Sequence, residues 1–176
     1  MTDIRLVKLK PDDREQFITD NQEAFNYGAL EEFGMRDDHL EEDGQIISRK
    51  TIEQSIDNGT AYRIMKGDEK VGGVVVKVDG NQGELELLFT SPKVHSKGIG
   101  YAAWCEIENL YPEVEVWETA TPYFETRNIH LYVNRCGFHI VEFFNKYHLG
   151  PKECDDQNSN TENDMESMFR FQKKMK

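Results

Sequence analysis

The loop of residues 91–100 has the composition of a phosphate-binding turn. Gly98 and Gly100 stand where a predicted strand gives way to a predicted amphipathic helix. The first turn of a helix has backbone N–H groups without partners inside the helix, and glycine lets an anion approach them closely. The loop also carries three side chains that are or can become cationic: Lys93, His95 and Lys97. These features indicate a pyrophosphate site.

Three interpretations of this loop compete. A glycine-rich turn without any ligand is the simplest, because a lone G-x-G occurs often. A dinucleotide fold is the second, because residues 98–103 satisfy G-x-G-x-x-A and Glu118 lies about 20 residues further on. Two observations count against the dinucleotide fold. Its fingerprint needs a tight turn after the strand, whereas a long segment containing Pro92 separates Thr90 from Gly98. The strands before the loop are also antiparallel. A Walker loop is excluded, since no Gly-Lys-Ser/Thr follows.

Two carboxylates precede the loop on the same predicted strand, residues 84–90. Glu84 and Glu86 are predicted to share one face of this strand, because side chains alternate with a period of two. Two like charges beside a cleft raise the pKa of one carboxyl group, which suits a general base. Ordinary polar alternation on a half-exposed strand also explains the pair.

The elements before the loop are predicted from hydrophobic periodicity. A strand at residues 4–9 leads into a first helix, and a second helix begins near Ser48 and has Gly59 as its C-terminal cap. Three strands joined by glycine turns follow, which predicts an antiparallel meander. Their predicted bounds are residues 61–65, 71–78 and 84–90.

Helix and strand are predicted to alternate after the loop, which implies a parallel crossover. Residues 113–118 and 138–147 are predicted strands, and the helix between them runs from Thr126 as N-cap to Cys136, with Gly137 as its left-handed cap. Residues 151–165 form an acidic surface loop, and residues 168–173 form a last strand. The helix that follows the loop has a stripe predicted to be buried: Ile99, Ala103, Ile107 and Leu110.

Two segments of the chain resemble the GNAT acetyltransferases. Residues 88–100, Leu-Phe-Thr-Ser-Pro-Lys-Val-His-Ser-Lys-Gly-Ile-Gly, resemble motif A, in which a strand ends in a proline turn and runs into Q/R-x-x-G-x-G/A. His95 stands at the usual Gln or Arg position. Residues 128–138, Asn-Ile-His-Leu-Tyr-Val-Asn-Arg-Cys-Gly-Phe, resemble motif B, with its Tyr and Gly-Phe exit. The two motifs occur in the order and at the separation found in the family, and this combination is more specific than either motif alone.

The resemblance implies a fold and a co-substrate. Residues 1–176 would form a single α/β domain. Its sheet would be mixed and mostly antiparallel, with six to seven strands and splayed central parallel strands, and about four helices would flank it. Acetyl-CoA would insert its pantetheine arm between the strands of residues 84–90 and 113–118 like an extra strand. The residues that would bind it are Leu88, Phe89, Thr90, His95, Ser96, Lys97, Gly98, Ile99, Gly100, Tyr101 and Asn128.

The resemblance also implies catalytic roles. Tyr132 would be the general acid that protonates the departing CoA thiolate, and Glu84 or Glu86 the base. Tyr132 lies five residues before Gly137, where family members usually have four, so an ungapped match would place Val133 there. We expect one extra residue at the helix end, which keeps the role on Tyr132. A buried helical stripe is the packing alternative: Ile129, Tyr132, Val133 and Cys136.

Composition limits the partners. The chain has 21 basic and 33 acidic residues and a formal charge of −12, which disfavours nucleic acid and anionic membranes and suits a small cationic amine. Three cysteines without a C-x-x-C pair, and no apolar run of about 20 residues, predict a cytoplasmic protein. No metal is predicted, because the histidines lack ligand spacing.

Two functions remain open at this stage. The first is an N-acetyltransferase that acetylates a primary amine of unknown identity. The second is a non-catalytic acyl-CoA sensor or interaction domain with the same fold. A homodimer is compatible with either, because the edge of the last strand would be exposed to another chain.

Overall fold

The structure is a computed structural model that describes residues 3–33, 47–94, 98–123, 125–148 and 167–175. The chain forms two compact units, residues 1–115 and residues 116–176. The predicted roles of His95, Ser96 and Lys97 lie outside the described residues, as does the acidic loop at 151–165. A single domain over the whole chain stays a prediction.

An antiparallel sheet of four strands forms the centre of the N-terminal unit. The strands are β1 (Arg5–Lys8), β2 (Thr60–Lys66), β3 (Glu69–Asp79) and β4 (Gln82–Thr90), each paired with the next. Gly67 (φ 62°) and Gly80 (φ 60°) occupy the turns between β2, β3 and β4, in the left-handed region that favours glycine. The predicted meander is confirmed.

Three helices accompany this sheet. A 3₁₀ turn, Pro11–Asp13, leads into α1 (Arg14–Phe33), and α2 (Arg49–Asn58) begins after Ser48, whose hydroxyl accepts the N–H of Thr51. The third helix is α3 (Ile99–Leu110). Its predicted stripe is buried except at Leu110, which is 49% exposed, so that part of the prediction was wrong.

Gly59 is the C-cap of α2, as predicted. Its φ of −128° is extended. A Cβ at this position would lie 2.7 Å from the carbonyl oxygen of Val76. Glycine is required here because α2 and β3 approach each other closely.

The helices α1 and α2 pack on the sheet through apolar side chains. The rings of Phe17 and Phe89 meet edge to face at 5.1 Å, and Ile18, Ile52 and Val75 are fully buried beside them. This core fixes α1 against β3 and β4. Strand β4 leads into the glycine loop.

The C-terminal unit contains three antiparallel strands. They are β5 (Val116–Pro122), β6 (His139–Phe144) and β7 (Met168–Lys174), and β7 pairs with both of the others. The last strand is therefore not an edge. The suggestion that its edge pairs between chains was wrong.

Three predicted bounds in this unit were also wrong. The strand placed at 113–118 starts at Val116 instead. The strand placed at 138–147 ends at Phe144, because the Asn145 side chain accepts the N–H groups of Tyr147 and His148 and closes a turn. Thr126 is the first residue of α4 (Thr126–His130), and Glu125 is its N-cap, without a side-chain cap bond.

The described residues contain seven strands and four α-helices, and every strand pairing inside a unit is antiparallel. The predicted mixed α/β class with mostly antiparallel strands is confirmed. None of the described helices combines the length and the apolar character needed to cross a membrane.

Candidate functional site

The turn that follows β4 is held by backbone hydrogen bonds. The N–H of Ser91 donates to the carbonyl of Val71 at 2.8 Å, and the N–H of Val94 donates to the carbonyl of Ser91 at 3.0 Å. The Ser91 hydroxyl accepts the N–H of Lys93. Val94 is buried, so the 3₁₀ turn Pro92–Val94 is anchored at both ends.

Gly98 begins α3 in a left-handed conformation. Its φ is 76° and ψ is 12°, and no side chain caps the helix at this point. Its carbonyl accepts the N–H of Ala102 at 3.0 Å, the first bond of the helix. Ile99 is buried, which fixes the first turn of α3 in place. The helix thus starts at a residue without a Cβ, and the N-terminal dipole end favours an anion.

Two adjacent glycines in β3 position the end of β4. Gly72 pairs with Thr90, and a Cβ on Gly72 would lie 2.3 Å from the carbonyl oxygen of Phe89. A Cβ on Gly73 would lie 2.4 Å from the Phe17 ring and 2.6 Å from the Phe89 ring. Larger residues would displace this part of β4 or the rings above it. The strand segment predicted to bind pantetheine is therefore set by its neighbour.

The carboxylates Glu84 and Glu86 lie on β4, but their strand is not regular. Leu85 pairs with Val76 and Leu87 with Val75, so Glu86 has no partner in β3 and forms a bulge. Glu84 is exposed and Glu86 is half-buried. The predicted alternation is interrupted at Glu86, and a shared direction for the two carboxylates stays a prediction.

Tyr132 is buried in the C-terminal unit, with 6% of its surface exposed. Its ring contacts Phe138 and Phe171, with centroids 5.8 and 5.6 Å away. A side-chain hydrogen bond joins its hydroxyl to Thr119 on β5. Burial, with a smaller contribution from Cys136, raises the pKa of the Tyr132 phenol well above its usual range, although the bond to Thr119 opposes this. The phenol is a proton donor at neutral pH.

The helical segment that carries Tyr132 ends in a π-helical turn. After α4 the backbone continues as a π-helical turn, Leu131–Arg135, and the N–H of Cys136 donates to the carbonyl of Leu131, five residues back. A π turn accommodates one residue more than an α-helical turn. Gly137 follows with φ 85°, as predicted. The turn has room for the expected extra residue before Gly137, and the register of Tyr132 stays a prediction.

Comparison with known proteins adds the deciding observation. The model of the acetyltransferase (GNAT) family matches residues 15–138. The chain belongs to the GNAT family of acetyltransferases. It is 41% identical over 174 residues to the uncharacterized protein YrkN of Bacillus subtilis (strain 168), a match that covers 95% of this chain and 91% of YrkN.

Solved GNAT structures share the fold. The PaiA N-acetyltransferase of Thermoplasma acidophilum, in complex with coenzyme A, matches with a TM-score of 0.69 at 16% identity, over 98% of this chain and 99% of that one. The spermidine N-acetyltransferase of Vibrio cholerae, in complex with CoA and spermine, matches with a TM-score of 0.64 at 11% identity, over 97% and 95%. At these identities the likeness establishes the fold.

The structure groups the predicted site residues by unit. The N-terminal unit contains Glu84 and Glu86, and with them the described residues among the predicted CoA contacts other than Asn128: Leu88, Phe89, Thr90, Gly98, Ile99, Gly100 and Tyr101. Asn128 and Tyr132 lie on consecutive turns of one helical segment in the C-terminal unit. Thr119, the partner of Tyr132, was missed because the predicted strand ended at Glu118, the residue before Thr119. The strand's continued alternation of threonine and alanine was the available signal.

Among the described residues, no group of three His, Cys, Asp or Glu side chains is arranged to hold a metal ion. Two of the histidines have other partners. His130 is hydrogen-bonded to Asn134 at 2.9 Å, and His148 to Glu142 at 2.6 Å.

Proposed function

We propose that this protein is an N-acetyltransferase that transfers the acetyl group of acetyl-CoA to a primary amine by direct attack. The observation that carries the proposal is the start of α3. A GNAT chain has here a left-handed glycine, Gly98, at the N-cap of a helix with one buried face, and an anchored turn follows β4. That arrangement suits the pyrophosphate of coenzyme A.

The co-substrate is assigned to the N-terminal unit. The main chain of Leu88, Phe89 and Thr90 would hold the pantetheine arm, and the N–H groups of residues 95–101 would hold the pyrophosphate. Asn128 is the remaining proposed contact. The close fit of Gly72 against Phe89 supports the assignment, because it fixes the strand that would accept pantetheine.

The reaction needs two proton transfers. The amine nitrogen attacks the thioester carbonyl carbon and loses a proton, for which Glu84 or Glu86 is the proposed base. The carbon–sulfur bond then breaks, and the CoA thiolate takes a proton, for which Tyr132 is the proposed donor. A phenol with a raised pKa is protonated at neutral pH, so the proton that this step needs is present on Tyr132.

The proposed acceptor is a small cationic amine, and the net charge of −12 motivates it. Attraction between an acidic protein and a cation weakens with salt, because ions screen charges separated by more than a Debye length. The Michaelis constant for a cationic acceptor should therefore rise with ionic strength. An uncharged acceptor such as a peptide N-terminus in its neutral form should show little change.

A panel assay tests the proposal. The protein is incubated with acetyl-CoA and spermidine, an aminoglycoside, a lysine peptide or a peptide with a free N-terminus. Thiol release and a gain of one acetyl group in the amine by mass spectrometry are the expected results. A melting temperature that rises with acetyl-CoA, but no acetylated product from any amine, would replace the enzyme with the non-catalytic acyl-CoA sensor.

A further inference from the structure

A concave surface lies where β1 leads into α1 and α2 leads into β2. Its volume is about 350 Å³, within the range of small-molecule sites. The N–H of Leu9 donates to the carbonyl of Ala61 at 2.9 Å and holds the two connections together. Pro11 and Gly59, one on each connection, limit the backbone further. The concavity is thus built by the fold of the N-terminal unit.

Cations line this concavity. Lys8 and Lys10 come from the end of β1, and Arg14 comes from the first turn of α1. None of the described residues that line it is acidic. The chain has 12 more acidic than basic residues, so three cations around one concavity run against its overall charge.

The charges of Lys8 and Lys10 are available to a ligand. Arg14 donates to Asp57 at 2.8 Å, so one carboxylate partly offsets its charge. Among the described residues, the ammonium groups of Lys8 and Lys10 have no hydrogen-bond or ion-pair partner. Like charges held this close repel each other, and an anion between them would relieve the repulsion.

The concavity is separate from the glycine loop. It lies at β1, whereas the loop follows β4, and β2 and β3 run between these strands. Three strand spacings amount to about 14 Å. A ligand here would therefore not occupy the site proposed for the CoA pyrophosphate.

We propose that this concavity binds a small organic anion with a carboxylate or phosphate group, as a second site beside that of the co-substrate. Lys8, Lys10 and Arg14 hold the anionic group. The apolar part of the ligand contacts Ile56 and Ala61, which complete the lining. Because the site joins the starts of α1 and β2, occupancy stabilises the N-terminal unit.

The test uses citrate and inorganic pyrophosphate as probes, with coenzyme A at saturation to block the glycine loop. Each probe should raise the melting temperature by about 3–6 °C at about ten times its dissociation constant. The double variant Lys8→Ala/Lys10→Ala should lose this shift. Both lysines are exposed, so the variant is expected to fold.

The control is Lys66→Ala/Lys77→Ala, which removes the same charge from exposed lysines outside the concavity. This variant should keep the full shift. Equal shifts in both double variants would mean that the anions act through overall charge, and no shift in the unchanged protein would also overturn the proposal. Without coenzyme A, any shift from binding at the glycine loop is common to both double variants, so the difference between them does not depend on the proposed acetyl transfer.

Discussion

The hydroxyl of Tyr132 is hydrogen-bonded to Thr119, and both side chains are buried in the C-terminal unit. Tyr132 comes from the π-helical turn and Thr119 from the middle of β5, where it pairs with Phe171. The bond fixes the direction of a phenol whose rotation the rings of Phe138 and Phe171 already restrict. A buried donor with one defined partner is well placed for a single proton transfer.

Tyr132→Phe should lower kcat for acetyl transfer by about 100-fold or more, because general acid catalysis contributes about 10² to 10⁴ in rate. The ring and its contacts remain, so the free energy of unfolding and the dissociation constant for acetyl-CoA should change little. Steady-state kinetics with the best amine of the panel, together with urea unfolding, measure both. Val133→Ala is the control, since Val133 occupies the alternative register. An equal loss of kcat in Val133→Ala would mean that the loss comes from disturbed packing and not from the missing hydroxyl.

The pH dependence of kcat offers an independent check on Tyr132. Burial holds the phenol pKa above its usual value of about 10, so the proton-donating form persists to higher pH than in an ordinary tyrosine. The rate of the unchanged protein should therefore not fall because of this tyrosine at any pH below about 10. Over that range its pH profile should have the same shape as that of Tyr132→Phe. A fall near neutral pH that disappears in Tyr132→Phe would contradict the raised pKa.

The two parts of the site differ in how far the sequence could predict them. Gly98 was predictable because its requirement is local: a helix start that an anion can approach needs a residue without a Cβ. The bond from Tyr132 to Thr119 was not, because it depends on where β5 ends and how it pairs with β7. The central position of β7 likewise follows from long-range pairing and leaves no periodic signal in residues 168–173. The side chains around Glu86 were predicted to alternate regularly along their strand. The bulge at Glu86 depends on the pairing of β4 with its partner strand, β3.

Gly98→Ala should weaken binding of coenzyme A by about tenfold, because a Cβ at φ 76° strains the left-handed N-cap and crowds the approach to the first N–H groups of α3. The strain should also lower the free energy of unfolding by about 1–2 kcal/mol. Calorimetric titration with coenzyme A gives the affinity, and urea unfolding gives the stability.

Gly80→Ala is a matched control for Gly98→Ala. Gly80 is also left-handed, at φ 60°, and an added Cβ would meet nothing within 4 Å. It should lose a similar amount of stability and bind coenzyme A normally. If both variants bound coenzyme A equally well, the start of α3 would not be the pyrophosphate site.

Asn21→Leu should raise the free energy of unfolding by about 1–2 kcal/mol. Asn21 is fully buried on α1, and neither atom of its amide has a hydrogen-bond partner among the described residues. An unsatisfied buried polar group costs about 1–3 kcal/mol, and leucine has a similar volume without that cost. The measurement is urea unfolding. Gln22→Leu is the control: the Gln22 amide donates to the carbonyl of Ile47, so losing it should not stabilise. A destabilised Asn21→Leu would show that the amide is bonded in solution.

Asp13→Asn should destabilise the N-terminal unit by a pH-dependent amount. The Arg63 guanidinium is buried, with 4% of its side chain exposed, and it binds Asp13 at 2.7 Å and Asp20 at 2.9 Å. Removing Asp13 leaves Arg63 with one carboxylate, so the loss near pH 7 should be about 1–3 kcal/mol, below the about 3–5 of a buried pair broken completely.

The sign of the pH effect follows from the Asp13 pKa. Burial raises this pKa, but the hydrogen bonds from Arg63 and Lys70 outweigh burial and hold it below the usual 3.8. The stabilisation is therefore present above about pH 4 and is lost as pH falls through the lower pKa of the folded state. Urea unfolding of both proteins from about pH 7 to about pH 3 should show their difference shrinking at the acid end. Asp57→Asn, which removes an exposed partner of Arg14, should show a much smaller loss throughout, and an equal loss would refute the importance of burial at Arg63.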